Sequence, residues 1–101
     1  ASDVNPYLAM SASLASGMYG VKNNLKLKVS PTQGNGYENT GNGTMPTDLK
    51  DATERMRRSE VARDMFGDSF VDHFTMTREW EWKQAQKSVT DWELKRYFEI
   101  I

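Results

Sequence analysis

The chain closes with Thr90-Asp91-Trp92-Glu93-Leu94-Lys95-Arg96-Tyr97-Phe98-Glu99-Ile100-Ile101, a stretch that predicts an amphipathic helix over residues 90–101. Thr90 and Glu93 have the spacing of a capping box, and Val89 stands where a hydrophobic staple to Leu94 begins. Large apolar side chains recur at i, i+3, i+4 and i+7: Leu94, Tyr97, Phe98 and Ile101. Burying this stripe contributes roughly 6–12 kcal/mol, against about 1 kcal/mol for the cap. We therefore expect the helix to be held by packing, either within this chain or on another polypeptide.

The first helix is predicted to begin at Asn5-Pro6-Tyr7, where an N-cap residue precedes a proline at the first helical position. Large apolar residues follow at helical spacing: Tyr7, Leu14, Met18, Val21 and Leu25. Most of the remaining surface is Ala, Ser or Gly, including Gly17 and Gly20. We expect another element to approach this helix closely.

Three further helix starts are predicted. Thr47 is the expected N-cap of a second helix, Ser59 restarts or continues that helix as far as Gly67, and Asp68 is the expected N-cap of a long helix. A Gly- and Asn-rich loop over residues 30–46 precedes them and is long enough to be a functional loop or a mobile linker. The sequence thus predicts a mainly α segment of about four to five helices, with residues 1–101 forming a single unit.

Composition narrows the class of protein. The 101 residues suffice for one small domain, and 13 basic against 14 acidic side chains give a net charge of −1, which favours neither nucleic acid nor an anionic membrane as a partner. With no cysteine, disulfides and thiolate metal sites are excluded. No apolar run predicts a membrane span or a signal peptide, so we expect a cytoplasmic protein. The chain begins at Ala1 rather than Met, as a processed product or a piece of a longer protein does.

Isolated residues do not assemble into a catalytic or metal site. His73 is the single histidine and is expected to be structural or exposed. Glu79 and Glu81 are two residues apart and do not face each other on a helix, while Asp68 and Asp72 do share a face but also suit an ordinary helix start. The sequence therefore assigns no catalytic, cofactor-binding or metal-binding residue.

Two other patterns have simpler explanations than ligand binding. Gly34-Asn35-Gly36 and Gly41-Asn42-Gly43 lack the strand, the helix and the Lys with Ser or Thr that a phosphate-binding loop needs, so turn chemistry is expected. The three tryptophans lie near basic residues, but without a net basic face a core or interface role is favoured over base stacking: Trp80, Trp82 and Trp92.

Two longer stretches carry a resemblance to a known family. Asp3-Val4-Asn5-Pro6-Tyr7-Leu8-Ala9 with Ala15 to Asn23 resembles the segment that starts the C-terminal portion of glutamine synthetases, where an Asn-Pro-Tyr helix start leads to a small-residue helix ending near Gly-Ile-Lys. The stretch from Phe66 through Thr77-Arg78-Glu79-Trp80-Glu81-Trp82 to Ile101 resembles the C-terminus of the branch that includes gamma-glutamylpolyamine synthetases. The loop 30–46 carries little of the resemblance.

The resemblance implies the end of an α+β catalytic domain within a homo-oligomeric ring. Such enzymes use ATP and Mg²⁺ or Mn²⁺ to activate the glutamate side chain as an acyl phosphate, which ammonia or an amine then captures. The resemblance also implies that the metal ligands and the phosphate-binding arginines lie before the Asn-Pro-Tyr segment. This chain alone is therefore expected to be inactive. The motif around Tyr37 does not match the tyrosine modification site of some bacterial members. The alternative is a self-contained helical module that buries its last helix against a partner.

Overall fold

A computed structural model describes residues 3–38, 41 and 43–100. Five helices, and no strand, are found in those ranges: α1 (Pro6–Lys22), α2 (Leu49–Arg58), α3 (Glu60–Phe66), α4 (Asp68–Ala85) and α5 (Asp91–Tyr97). The prediction of a mainly α segment is confirmed. The chain divides into two compact units, Ala1–Met45 and Pro46–Ile101.

The first unit contains α1, which begins as the sequence predicts. The side chain of Asn5 accepts hydrogen bonds from the backbone N–H groups of Tyr7 and Leu8 at 3.0 and 3.3 Å, and Pro6 occupies the first helical position. No residue of α1 is buried, and Tyr7 is 77% and Leu14 70% exposed. The capping residue and the proline that start this helix are therefore both in place, although its apolar side chains face solvent.

The end of α1 explains why Leu25 does not continue the apolar stripe. Asn24 has a φ of 49°, and the chain reverses there. The N–H of Leu25 donates to the carbonyl of Gly20 at 2.9 Å, and that of Asn24 to the carbonyl of Val21 at 3.1 Å. These are the two bonds of a Schellman motif, with Asn in the left-handed position that Gly more often takes. The helix ends at Lys22, so the prediction that Leu25 lies on it is wrong.

The second unit opens with two helices joined by a single residue. Ser59 follows the last residue of α2, and its side chain accepts a hydrogen bond from the N–H of Ala62 at 3.1 Å, which caps α3. Of the two alternatives left open at Ser59, a restart and a continuation, the structure shows the restart. The N-cap of α2 is Asp48 rather than Thr47, because the extended Asp48 backbone places its carboxylate 2.8 Å from the N–H of Asp51.

A second one-residue junction joins α3 to α4. Gly67 has a φ of 81° and occupies both the C-cap of α3 and the N-cap position of α4. It ends α3 as predicted, since only glycine adopts this conformation without steric cost. The prediction that Asp68 caps α4 is wrong. Asp68 is already the first residue of α4, and the structure gives that helix no side-chain cap.

The core of the second unit lies where α2 and α3 pack on α4. Four residues are buried in the described part of the chain: Thr53, Ala62, Val71 and Thr75. Both threonine hydroxyls donate to a carbonyl one turn earlier, Thr53 to Leu49 at 2.6 Å and Thr75 to Val71 at 2.8 Å, so their burial leaves no hydroxyl without a partner. Such a core is very small for a chain of this length.

The closing helix is capped as expected but is shorter than expected. Thr90 Oγ1 accepts from the N–H of Glu93 at 3.2 Å, while the Glu93 carboxylate accepts from the N–H of Thr90 at 2.8 Å, so the capping box is present. The helix ends at Tyr97 instead of extending to Ile101, because a three-residue bond from the N–H of Ile100 to the carbonyl of Tyr97 tightens the last turn. Ile101 lies outside the described residues.

The apolar stripe of α5 is not covered. Leu94 is 48%, Tyr97 50% and Phe98 82% exposed, and the helix contains no buried residue. Trp92 and Tyr97 contact each other edge to face, with ring centroids 6.0 Å apart.

Among the residues that the structure describes, none of the helices is long and apolar enough to cross a membrane.

Candidate functional site

The acidic pair Asp68 and Asp72 is occupied by one arginine. Arg63 donates from Nη1 to Asp68 at 2.7 Å and from Nη2 to Asp72 at 2.8 Å. Its Nε and Nη2 also donate to the backbone carbonyl of Arg57 at 3.2 and 2.9 Å. The hydrogen bonds that Arg63 donates to Asp68 and then to Asp72 raise the pKa of Arg63 above its ordinary value. This arrangement, here called the Arg63 clasp, joins the carbonyl end of α2 to the acidic start of α4.

The Arg63 clasp is the feature that sequence reasoning missed. Arg63 precedes the two acids by five and nine residues, and neither spacing places side chains together on a single helix. The tight turn at Gly67 brings them together. Asp68 and Asp72 do share a face as predicted, and both pair with the guanidinium of Arg63.

Glu79 and Glu81 have different surroundings. Glu79 bonds Lys83 at 2.8 Å through one carboxylate oxygen and Arg57 at 2.7 Å through the other, which ties α4 to α2. The bond from Lys83, followed by that from Arg57, lowers the pKa of Glu79. Glu81 is exposed. The two carboxylates therefore do not converge on one ligand.

The tryptophans are likewise separated. Lys50 Nζ lies 4.8 Å from the ring centroid of the half-buried Trp82, whereas Trp80 is 58% and Trp92 65% exposed. Lys50 on α2 contacts Trp82 on α4, and Arg57, later on α2, contacts Glu79, earlier on α4. The two helices therefore run antiparallel. The groove between them is lined by two basic and two acidic side chains, Lys50, Arg57, Glu54 and Glu79. This balance of charge favours neither an anion nor a cation as ligand.

The loop contains turn chemistry in its described part. Asn35 Oδ1 accepts from the N–H of Tyr37 at 3.1 Å, and its amide nitrogen donates to Glu38 at 2.9 Å. Gly34 and Gly43 have φ values of 76° and 95°, which suit glycine. The described residues form an Asx turn rather than a row of N–H groups facing one point. Asn39, Thr40 and Asn42 lie outside the described residues.

No group of three or more metal-ligating side chains is found within residues 3–38, 41 and 43–100. His73 is exposed on α4, and the carboxylate of its neighbour Asp72 bonds Arg63 instead. Large apolar side chains are exposed in the described part of α1, α4 and α5, among them Leu14, Trp80 and Trp92.

Comparison with known proteins places this arrangement in a family. The model described as "Glutamine synthetase, catalytic domain" matches residues 1–97. The chain belongs to the glutamine synthetase family. The resemblance seen in the sequence is confirmed, and the five helices are a piece of a glutamine synthetase catalytic domain.

Three glutamine synthetase relatives have informative names. Type-1 glutamine synthetase 2 of Dictyostelium discoideum is 47% identical and aligns with 99% of this chain and 20% of its own length. Glutamate–isopropylamine ligase of a Pseudomonas species is 44% identical, over 98% of this chain and 22% of its own. Gamma-glutamylethanolamide synthetase of Streptomyces coelicolor is 39% identical, over 96% and 21%. No solved structure matches the chain.

The chain thus spans about a fifth of the length of the curated relatives it matches. Two of these three glutamine synthetase relatives are named for an amine substrate, isopropylamine, or an amide product, gamma-glutamylethanolamide, rather than for glutamine. This agrees with the predicted likeness to members of the family that act on amines.

Proposed function

We propose that this chain is the C-terminal helical part of an ATP-dependent ligase that joins the side-chain carboxylate of glutamate to ammonia or a primary amine. The observation that carries the proposal is the 47% identity over 99% of this chain to one fifth of a glutamine synthetase. The names of the two amine-ligating relatives extend the acceptor class beyond ammonia.

Within that ligase, the chain has a structural role and supplies no catalytic, cofactor-binding or metal-binding residue. Four of its acidic side chains support this role, because each bonds an arginine or lysine in its own unit: Asp51, Asp68, Asp72 and Glu79. A carboxylate already engaged by a cation is a poor metal ligand, since binding a metal first requires the ion pair to be broken.

The cofactors belong to the larger enzyme. ATP and Mg²⁺ or Mn²⁺ need several carboxylate or imidazole ligands and several arginines around the phosphates, and this chain has one histidine. The bound metal ions would neutralise phosphate charge when the glutamate carboxylate is activated. The residues described here would keep their elements in place around that site.

The exposed apolar faces support a role in contacts with the remainder of the catalytic domain and with neighbouring subunits of a ring. Five large apolar side chains are between 48% and 82% exposed: Tyr7, Leu14 and Met18 on α1, Leu94 on α5, and Phe98 at the C-cap of α5. Contiguous apolar surface of this kind commonly marks a protein interface. We propose a cytoplasmic homo-oligomer, with residues 1–101 forming one part of each catalytic domain.

An activity assay on the full-length protein tests this function. With glutamate, ATP and Mg²⁺, we expect ADP release that depends on ammonia or on a primary amine such as isopropylamine, ethanolamine or a polyamine. The acceptor giving the highest kcat/KM assigns the branch. Absence of acceptor-dependent ADP release across this series would overturn the proposal.

Calorimetry on residues 1–101 alone tests the structural role separately. We expect no heat of binding when Mg²⁺ and ATP are added, because the groups that bind them lie elsewhere in the enzyme. A clear micromolar dissociation constant would contradict the assignment of no cofactor-binding residue to this chain.

A further inference from the structure

A ladder of stacked side chains runs from α3 along α4. Its members are four residues apart: Phe66, Phe70, Phe74 and Arg78. The ring centroids of Phe66 and Phe70 are 5.8 Å apart, and those of Phe70 and Phe74 are 5.6 Å apart with nearly parallel planes. The guanidinium carbon of Arg78 lies 5.4 Å from the centroid of Phe74. The ladder therefore ends in a cation held against an aromatic ring.

Within the described residues, the Nε of Arg78 has no hydrogen-bond acceptor. Its Nε is buried and makes no hydrogen bond, and within the described ranges Arg78 forms no ion pair. Other arginines of the same unit, Arg57, Arg58 and Arg63, each bond a carboxylate. Arginine stays charged at any physiological pH, and a buried N–H without an acceptor loses hydration with nothing in return. The part of the chain that the structure describes therefore supplies no acceptor for this Nε.

The surface beside Arg78 has the composition of a protein interface. Met76, Thr77, Trp80 and Glu81 line a shallow depression together with Arg78. Met76 is 59% and Trp80 58% exposed. Methionine, tryptophan and arginine are enriched at the centres of protein interfaces, where an apolar surround keeps water away from a polar anchor. Glu81 lies in the same depression but does not bond Arg78, so it does not supply the missing acceptor.

We propose that Arg78 anchors this unit by binding an Asp or Glu carboxylate from the part of the same ligase polypeptide that lies outside residues 1–101. Charge complementarity selects the partner group, because the planar guanidinium matches a carboxylate with two parallel hydrogen bonds. The comparison with relatives indicates where this carboxylate comes from. About four fifths of each relative's length has no counterpart in this chain, and that remainder can supply the carboxylate. The proposal rests on the proposed function, in which such a remainder exists.

An experimental structure of the full-length protein tests the contact directly. We expect a carboxylate oxygen from outside residues 1–101 of the same polypeptide within about 4 Å of an Arg78 guanidinium nitrogen, with Met76 and Trp80 covered by the same segment. Three results would overturn the proposal: an Arg78 side chain in solvent, a bond to Glu81, or a carboxylate that belongs to a neighbouring subunit.

Substitutions in the full-length protein test whether the contact contributes to stability. We expect Arg78→Met, which retains the apolar stem, to lower the melting temperature by at least about 3 °C, and Arg78→Lys to have a smaller effect because it keeps the charge and loses the fork. Arg58→Met is the matched control, because Arg58 is 77% exposed and bonds Glu54 one turn away on α2, and it should shift the melting temperature by less than about 1 °C. Equal shifts for Arg78→Met and Arg58→Met would argue against an anchor.

A double-mutant cycle separates a carboxylate contact from the stack on Phe74. Replacing the carboxylate found in the structure by its amide should have little further effect in the Arg78→Met background, and additive effects would refute the pairing. The amine-dependent assay keeps this test distinct from that of the proposed function. An active ligase with an unpaired Arg78 refutes only this inference, whereas an inactive protein with a paired Arg78 refutes only the assigned activity.

Discussion

Helices α1 and α4 have nearly the same length, 17 and 18 residues, but they differ in how their ends are capped and in how much of their surface is buried. α1 has an Asn cap, a first-turn proline and a Schellman ending, yet it has no buried residue. α4 has no side-chain cap, yet Val71 and Thr75 on it are 0% and 1% exposed. Local signals thus define where a helix starts and ends, whereas burial depends on the surfaces available to it. In this chain α4 meets its partners within its own unit, and α1 does not.

The largest test of this difference places the same charge on both helices of the 101-residue chain. Val71→Asp buries a carboxylate without a partner and should cost at least about 3 kcal/mol, or abolish cooperative unfolding in urea as followed by circular dichroism. Leu14→Asp on α1 should cost only about 0.5 kcal/mol, the difference in helix propensity. Comparable losses at the two positions would mean that α1 is buried in solution.

A smaller effect is expected from the Arg63 clasp. Arg63→Met leaves Asp68 and Asp72 without their shared cation and removes the bonds to the Arg57 carbonyl. We expect the melting temperature to fall by about 3 °C at low salt and by less at 1 M salt, where screening already weakens the ion pairs. Arg58→Met is the control, because Arg58 is 77% exposed and bonds only Glu54 one turn away on α2. A salt-independent loss would assign the effect to packing instead.

The cap of α5 should have a local effect. Thr90→Ala removes the hydroxyl that accepts from the N–H of Glu93, at a cost of about 1 kcal/mol. Amide hydrogen exchange within α5 should therefore quicken about fivefold, while exchange in α4 stays unchanged. Ser88→Ala, two residues earlier in the chain, is the control and should leave both rates as they are. Faster exchange in α4 as well would show that the two helices unfold together.

The smallest expected effect is a change in folding stability at acid pH. The pKa of Glu79 is lower in the folded chain than in the unfolded one, because it bonds Lys83 and Arg57. The contribution of Glu79 to folding stability is therefore complete above its unfolded-state pKa near 4.5. This contribution is lost as the pH falls through the lower pKa of the folded state. Glu79→Gln should flatten the dependence of stability on pH below about 4.5, measured by urea unfolding, and the exposed Glu81→Gln should not. An unchanged acid slope in Glu79→Gln would contradict the lowered pKa.

The sequence predicted most of the features that depend on neighbours within about four residues. The Asn5 cap, the break at Ser59, the stop at Gly67 and the Thr90–Glu93 box are all present. Errors of one residue arose at Thr47 and Asp68, where two adjacent residues can both cap and only the backbone conformation decides between them.

Features that depend on turns between helices were not predictable in this way. The Arg63 clasp needs the one-residue junction at Gly67, and the bond between Arg57 and Glu79 joins residues 22 positions apart. The contact of Arg78 with Phe74 was not predicted, and no sequence pattern shows that Nε lacks an acceptor within the described residues. Family membership came from the order of motifs along the chain rather than from any reactive group.

The central claim is that the exposed faces of α1 and α5 are contact surfaces within a larger glutamine synthetase-type ligase. Amide hydrogen exchange measured on residues 1–101 alone and on the full-length protein tests it most directly. We predict that protection in α1 and α5 rises at least tenfold in the full-length protein, while protection in the α2–α4 contact changes less. Equal exchange of α1 and α5 in the two proteins would contradict the claim.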